Sequence, residues 1–490
     1  MSGQEKHMSR IPPHNSAAEA PSQAARLKDR HVSMISIGGV IGASLFVGSS
    51  TAIATAGAGA LFSYFLSGIM VMCITRMLGE MTVASPGTGS FVGQIRRGLG
   101  PRVAFVAGWL YWIMWATVLG FEAIAAAAFL APYVPLPYLV IELLTVAIMT
   151  VVNLFSVRGY GEFEYWFSAL KIITIIVFIL LALSGLLGLW SHVKVASGLF
   201  SVAGLVPHGT FALFAVIPGI MMSMAGAEIT SIAACDTTDP AGNVARSTRT
   251  VALRIMIFYL ASIGLILLLL PLSRVVPGSS PFLATLDYIG IPFARALMTA
   301  VMLIATLSAL NSGIYITSRV LCDLAENHDA PRMFLQRDGQ GTPARAILCG
   351  SAVAVIIAVI GMLAPGRVFS FLVSASGTFI LFDYVLIVLA HIRLRRACLR
   401  NGETVSLPMW GFPFLSYGML ACLFGALVTM FFATDHTRQE IVLSTISLGL
   451  IIVVEYLSVG YRTRRRMAQC QAERNDASGT TLRGDPARLS

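Results

Sequence analysis

Three charged residues interrupt long apolar stretches, where an ionisable side chain is costly and usually functional. Lys171 lies within LKIITIIVFILLAL, Glu122 follows WLYWIMWATVLGF, and Glu228 ends the sequence SMAGAE. Because removal from water makes an ammonium easier to deprotonate, we expect Lys171 to carry a coupling proton, with a fixed ion pair as the alternative. Glu122 is expected to line a substrate cavity or to make a helix contact. Glu228 is expected either to hold the backbone in place or to contact a ligand.

Two clusters of small residues offer backbone groups for binding. The first is GGVIGASLF at Gly38–Phe46, and the second runs from Pro218 to Glu228. Glycine in a helix interior costs about 1 kcal/mol relative to alanine, so each cluster indicates either close helix packing or a break. Their occurrence in the first and sixth predicted spans favours breaks, since unwound segments at equivalent places in two halves are typical of a transport site near the bilayer midplane.

An unwound segment has backbone N–H and C=O groups that a membrane tolerates only where they face protein, water or a ligand. We expect the amides of Gly42, Ala43 and Ser44, at a helix N-terminus, to bind a carboxylate. The carbonyls that suit an ammonium are those around Met222, Ser223 and Ala225. Gly226 and Glu228 are assigned a structural or gating role. The predicted ligand is therefore an amino acid.

The amino-acid composition indicates which class of structure must position these groups. Hydrophobic residues make up 56% of the 490 residues and charged residues only 12%, with a mean hydropathy of +0.78. A soluble protein has about a quarter charged residues, and this balance could not cover a water-exposed surface. The 44 Gly and 21 Pro show no period and the 7 Cys are few, which excludes collagen-like and disulfide-framework classes. The sequence predicts an all-helical membrane protein with many spans.

A helix needs about 20 apolar residues to cross a bilayer, and we predict twelve such spans. They lie near residues 32–55, 59–82, 102–130, 137–156, 163–188, 210–235, 248–271, 292–323, 344–363, 368–391, 411–432 and 440–460. These form a membrane domain at residues 28–467, with a first repeat at about 32–188, a second at about 210–391 and two extra helices at about 411–460. The polar ends, 1–27 and 468–490, are predicted to be disordered cytoplasmic tails.

The distribution of Lys and Arg predicts the orientation. Basic residues are frequent on the side of the termini, for example at Arg393–Arg400 and Arg462–Arg466, whereas the opposite loops hold only Lys194, Arg274, Arg367 and Arg438. The positive-inside rule therefore places both termini in the cytoplasm. We attribute the net charge of +10 to this bias and predict no nucleic-acid partner. No obligate protein partner is evident.

Soluble catalytic motifs are missing from the sequence. We find no phosphate-binding loop, zinc-ligand spacing or nucleophile elbow, so we predict no cofactor, no metal and no enzymatic activity. Two classes other than a transporter stay open at this point, a channel and a multispan membrane enzyme.

Several long motifs carry a family resemblance. They are RHVSMISIGGVIGASLFVGSS, RMLGEMTVASPGTGSF, GWLYWIMW, YGEFEYWFSALK, MAGAEITSIAA and LNSGIYITSRVL. From about Leu27 to about Glu455, the chain resembles the amino acid permeases of the amino acid-polyamine-organocation superfamily. The resemblance implies a leucine-transporter-like fold, a five-plus-five inverted repeat with two further helices, in which spans one and six are discontinuous.

The resemblance also implies a function in the bacterial inner membrane, proton-coupled import of an amino acid by alternating access, with gamma-aminobutyrate the first choice. Another neutral or aromatic amino acid, or exchange, is the alternative. By resemblance, Ile41–Ser44 bind the carboxylate, Met222–Ala225 bind the amine, and Glu122 lies near the pocket. By the same resemblance, Lys171 occupies the position of the fifth-span lysine that takes the place of a sodium ion in proton-coupled relatives. Met224 occupies a position where many relatives have Phe, and this difference affects the pocket's shape.

Overall fold

The computed structural model describes most of the membrane region. The described residues are 41–85, 90–155, 157–189, 202–226, 228, 256–291, 294–338, 341–362, 365–403, 405, 407–433, 435 and 437–457. The predicted tails, the start of the first small-residue cluster and parts of the predicted sixth and seventh spans lie outside these residues.

Within the described ranges the regular structure is helical, with no strand. The α-helices are α1 (Ala43–Phe46), α2 (Gly48–Ala56), α3 (Ala60–Ala84), α4 (Phe91–Leu99), α5 (Pro101–Leu130), α6 (Tyr138–Phe155), α7 (Val157–Leu186), α8 (Val202–Leu205), α9 (Thr210–Ala215), α10 (Ile217–Met224), α11 (Met256–Leu269), α12 (Pro281–Ile289), α13 (Ala294–Glu326), α14 (Ala344–Gly361), α15 (Pro365–Arg400), α16 (Phe414–Ala433) and α17 (Thr437–Leu457). Short 3₁₀ turns lie at Gly57–Gly59, Leu272–Arg274 and Arg332–Leu335.

Nine helical stretches in the described part of the chain are long and apolar enough to cross a membrane. The first, Ala43–Ala84, has 42 residues, about twice the length that one crossing needs. The 3₁₀ turn at Gly57–Gly59 divides it between the first two predicted spans, near 32–55 and 59–82. Shorter apolar helical stretches, Thr210–Met224 and Met256–Leu269, lie in the predicted sixth and seventh spans. The count of twelve spans stays a prediction.

Three long helices, α5, α13 and α15, form the centre of the bundle. In α5, 78% of the most apolar stretch is buried, and the corresponding shares are 67% for α13 and 72% for α15. The last two helices, α16 and α17, have only 28% buried and lie at the periphery. Apolar residues surround these central helices. Their polar side chains that face the bundle interior therefore need hydrogen-bond partners within the protein.

Glycine allows close approach of two helices next to the second small-residue cluster. A Cβ added to Gly377 on α15 would lie 2.3 Å from the carbonyl oxygen of Pro218 and 3.0 Å from the amide nitrogen of Gly219, both on α10. These atoms belong to the backbone, so relief requires one helix to shift. The contact fixes α10 against α15.

We expect Gly377→Ala to lower the free energy of unfolding by about 1–3 kcal/mol, because the added methyl group separates α10 from α15. Thermal unfolding of the purified protein in detergent measures this effect. Gly418→Ala on the peripheral helix α16 is the control, since nothing lies within 4 Å of its added Cβ. Equal melting temperatures for the two variants would contradict the close packing.

Candidate functional site

The first predicted break corresponds to the start of α1. Gly42 is extended, with φ −138° and ψ −165°, and the four-residue helix α1 begins at Ala43. The Ala43 amide donates to the Glu122 carboxylate on α5, at 3.1 Å from Oε1 and 3.4 Å from Oε2. A helix start leaves amides without intrahelical partners, and a carboxylate suits the positive end of the helix dipole. An amide predicted to bind a ligand carboxylate therefore holds a carboxylate of the protein itself.

Gly42 provides the space that this interaction needs. A Cβ at Gly42 would lie 2.6 Å from Glu122 Oε1 and 3.2 Å from the Cβ of Ala309 on α13. Ile41 and Ser44, the other members of the predicted carboxylate-binding set, are also buried. The first break is thus enclosed by α5 and α13.

The second predicted break corresponds to the end of α10, at Met224. Ala225 is extended, with ψ 143°, and Gly226 has φ 125°, a conformation that favours glycine. The Tyr259 hydroxyl donates a short hydrogen bond to the Ser223 carbonyl, and the Ala225 amide donates to the Met222 carbonyl at 3.1 Å. These carbonyls, predicted to bind an ammonium, therefore already accept one bond each.

Glu228 holds this second break together. Its two carboxylate oxygens accept the Gly226 amide at 3.1 Å each. The hydroxyls of Tyr111 on α5 and Tyr384 on α15 donate to it at 3.3 Å. The contact with the backbone that was one of the two expectations for Glu228 is present, and contact with a ligand stays a prediction. The tyrosines were not predicted, because nothing in their spacing indicates that they converge.

The structure brings the two breaks together. Helix α10 packs against both α1 and α2, so Ile41–Ser44 and Met222–Ala225 belong to one region. Met224, like its neighbours in this set, is fully buried. The segments predicted to supply backbone donors and backbone acceptors thus lie on helices that pack against each other inside the bundle.

Lys171 lies in a buried polar group between α7 and α13. Its ammonium donates to Ser308 Oγ at 2.8 Å and lies 3.5 Å from Glu164 Oε1. The Ser308 hydroxyl is 2.7 Å from both Glu164 oxygens, and Ser168 donates to Glu164 at 3.2 Å. The side chains of Lys171 and Glu164 have no exposed surface. The ion pair named as the alternative for Lys171 is therefore present.

Glu164 is the partner that sequence reasoning missed, although it stands seven residues before Lys171. Two helical turns place such residues on the same face, which is the signal that could have identified the pair. The Lys171 group is also adjacent to the first break, because Ser308 precedes Ala309, the residue against Gly42. The Lys171 ammonium and the Glu122 carboxylate attract each other as well.

A cavity of about 420 Å³ lies beside the first break. Val47, which follows α1, and Ile124, two residues beyond Glu122, are among its lining residues. Arg295 and Phe369 also line it, and Phe369 packs edge-on against Phe121 with ring centroids 5.8 Å apart. The volume is sufficient for a small organic molecule. None of these lining residues was predicted from the sequence.

Nine helical stretches in the described part of the chain that are long and apolar enough to cross a membrane indicate a multi-pass membrane protein. A model of the family described as "Amino acid permease" matches residues 31–472. The chain belongs to the amino acid permease family, and its substrate is an amino acid.

Individual relatives cover most of the chain. A gamma-aminobutyric acid permease of Bacillus subtilis is 39% identical over 87% of this chain and 92% of its own length. A gamma-aminobutyric acid permease of Escherichia coli is 37% identical over 88% of this chain and 94% of its own. An aromatic amino acid transport protein of Corynebacterium glutamicum is 32% identical over 88% and 95%, respectively. These relatives share the whole membrane region with the chain.

We expect Gly42→Ala to reduce amino acid uptake at least tenfold, because the new methyl group displaces the Glu122 carboxylate from the Ala43 amide. Initial rates in proteoliposomes measure the loss. The matched control is Gly48→Ala at the start of α2, where the added Cβ meets only Val373 at 3.6 Å, an ordinary contact. If both variants transport at the wild-type rate, the Glu122–Ala43 contact has no part in transport.

Proposed function

We propose that the protein imports gamma-aminobutyrate together with a proton, by alternating access, across the bacterial inner membrane. The observation that carries the proposal is the Glu122–Ala43 hydrogen bond at 3.1 Å, a carboxylate bound where the substrate carboxylate is expected. The similarity to proteins named gamma-aminobutyric acid permeases supports the choice of substrate.

The substrate carboxylate binds at the start of α1. The amides of Gly42 and Ser44 flank the Ala43 amide, and the helix dipole favours a negative charge at this end. Glu122 leaves the Ala43 amide or moves aside as the substrate enters. Ile41 completes this side of the site.

The substrate ammonium binds at the end of α10. The carbonyls of Met222 and Ser223 already accept one hydrogen bond each, and a carbonyl oxygen can accept a second. Ala225 contributes its backbone and Met224 shapes the pocket wall. Gly226 and Glu228 keep the break open without contact to the substrate.

Lys171 carries the coupling proton. Glu164 and Ser308 stabilise its ammonium form, and burial favours release of the proton once these contacts are broken. Ser308, which accepts from Lys171, and Ala309, which lies against Gly42, are neighbours on α13. Helix α13 therefore connects the Lys171 group to the first break. A change at the first break on substrate binding is therefore transmitted to the ammonium of Lys171.

The proposed arrangement in the membrane follows the sequence prediction. The domain at residues 28–467 has twelve spans in a five-plus-five inverted repeat with two further helices, spans one and six are discontinuous, and both termini are cytoplasmic. Extended backbone at Gly42 and at Ala225 supports the breaks, since each residue adjoins a helix end inside the bundle.

A second candidate is a permease or exchanger for an aromatic or other neutral amino acid. The similarity to an aromatic amino acid transport protein favours it. Met224 is a flexible side chain in the pocket wall and is compatible with ligands of different shape.

Purified protein in liposomes is expected to accumulate labelled gamma-aminobutyrate when the outside is more acidic than the inside, because the proton gradient drives symport. Labelled phenylalanine, supplied under the same conditions, is expected to enter more slowly. Equal uptake with and without the pH gradient would exclude proton coupling. Faster uptake of phenylalanine would establish the second candidate.

Replacing Lys171 with Gln is expected to abolish accumulation, because the side chain can no longer exchange a proton. The double variant Glu164→Gln/Lys171→Gln is the control for a purely structural ion pair. Removing both partners of a buried pair is far less destabilising than removing one. We expect the double variant to regain thermal stability but not accumulation. Recovery of accumulation as well would show that the pair is only structural.

A further inference from the structure

Asp383 on α15 is a buried acid to which no role has been assigned. Asp383 is only 1% exposed, and neither of its carboxylate oxygens has a hydrogen-bond partner among the described residues. In contrast, Glu228 and Glu122 accept backbone amides. Asp383 is therefore the exception among the buried acids near the two breaks.

Among the described residues, the charge that acts on Asp383 is another carboxylate. Asp383 lies within electrostatic range of Glu228, and the effect between them is repulsive. Tyr111 and Tyr384 are also close, but their hydroxyls donate to Glu228. In the described part of the chain, Asp383 is thus repelled by a like charge and has no hydrogen-bond donor.

Other charged groups on the described helices packed against α15 have partners elsewhere or face outward. Three of the basic residues have partners: Arg76 donates to the Pro408 carbonyl, Arg96 pairs with Asp329 and Arg102 lies near Glu455. Three of the acids also have partners: Glu80 pairs with Arg395 and His391, Glu122 accepts the Ala43 amide and Glu440 forms a hydrogen bond with Ser374. Arg97 and Arg345 are exposed. None of them compensates the charge of Asp383.

An ionised carboxylate without donor or counter-ion is very costly in a protein interior, whereas a neutral carboxyl group costs much less. We propose that Asp383 binds a proton, so that it forms a proton-binding site distinct from Lys171. Of Asp383 and Glu228, only Glu228 then carries a negative charge, which the Gly226 amide and two tyrosine hydroxyls stabilise.

Loss of this proton would place two negative charges side by side. Repulsion would then draw Glu228 away from the Gly226 amide and change the second break. Asp383 is thus a positioning residue for that break, and the proton stabilises the observed conformation. The consequence for transport rests on the proposed function, whereas proton binding itself does not.

Infrared spectroscopy of the purified protein tests proton binding without transport. We expect a C=O stretching band of a buried protonated carboxyl group that persists above neutral pH in the wild type and is absent from Asp383→Asn. The matched control is Asp435→Asn, since the Asp435 side chain is 92% exposed and its loss should leave the band unchanged. A wild-type spectrum that Asp383→Asn does not alter would overturn the proposal.

Thermal unfolding as a function of pH provides a second measure. An acid that keeps its proton when folded and releases it when unfolded makes the protein less stable as the pH rises. We expect the melting temperature of the wild type to fall more steeply with pH than that of Asp383→Asn. Parallel curves for the two proteins would contradict the proposal.

A third variant keeps the test valid if Asp383→Asn does not fold. In Glu228→Gln the like charge is removed, so the Asp383 band should disappear at a lower pH than in the wild type. If the band disappeared at the same pH as in the wild type, the proposed effect of the Glu228 charge on Asp383 would be refuted.

Uptake of labelled gamma-aminobutyrate then tests the consequence for transport. We expect the rate of the wild type to fall with rising pH and that of Asp383→Asn to vary less. If neither protein takes up this substrate, the proposed function fails, while the infrared result still decides whether Asp383 binds a proton. Identical pH profiles in two active proteins would refute its role in positioning the break.

Discussion

The amide at the start of α1 belongs to Ala43, which is fully buried, so its hydrogen needs an acceptor inside the protein. Glu122 accepts it from α5 at 3.1 Å, and this requirement determines much of what surrounds it. A Cβ at residue 42 would lie 2.6 Å from the carboxylate, so any side chain there would displace Glu122. The Glu122 side chain reaches α1 from α5, and Ala309 on α13 closes the other side. Among the nine described membrane-length stretches, α5 has the largest buried share, and it supplies the acceptor.

The same requirement shapes the other polar groups near the breaks. Glu228 accepts a hydrogen bond from the amide of Gly226, two residues earlier in the chain, and Glu164 is paired with Lys171 and Ser308. Each acid accepts from backbone or side-chain donors, as buried charges must if their removal from water is to be tolerated. Asp383 departs from this pattern, which is why its protonation is the natural way to avoid an uncompensated charge.

Much of the fold could be predicted from the sequence, because hydropathy and helix length are local properties. The apolar helices and the turn at Gly57–Gly59 are found where the sequence predicts them. Contacts between side chains that are far apart in the sequence could not be predicted from these local properties. The Glu122–Ala43 bond joins residues 79 positions apart, and nothing local indicates which way a side chain on a uniformly apolar helix points. Arg76 and Glu80 illustrate the limit, since their spacing suggests a mutual pair, yet Glu80 pairs with Arg395 and His391.

The position of Glu122 has a consequence for the energetics of binding. If a substrate carboxylate takes the Ala43 amide, it replaces one carboxylate with another, so the hydrogen bond gained is offset by the one lost. Little net affinity then arises at the first break. The difference between amino acids must come from the ammonium at the end of α10 and from the side chains that surround the ligand. Selectivity in this protein is therefore expected to depend on the second break and on Met224, while the first break recognises the carboxylate that all amino acids share.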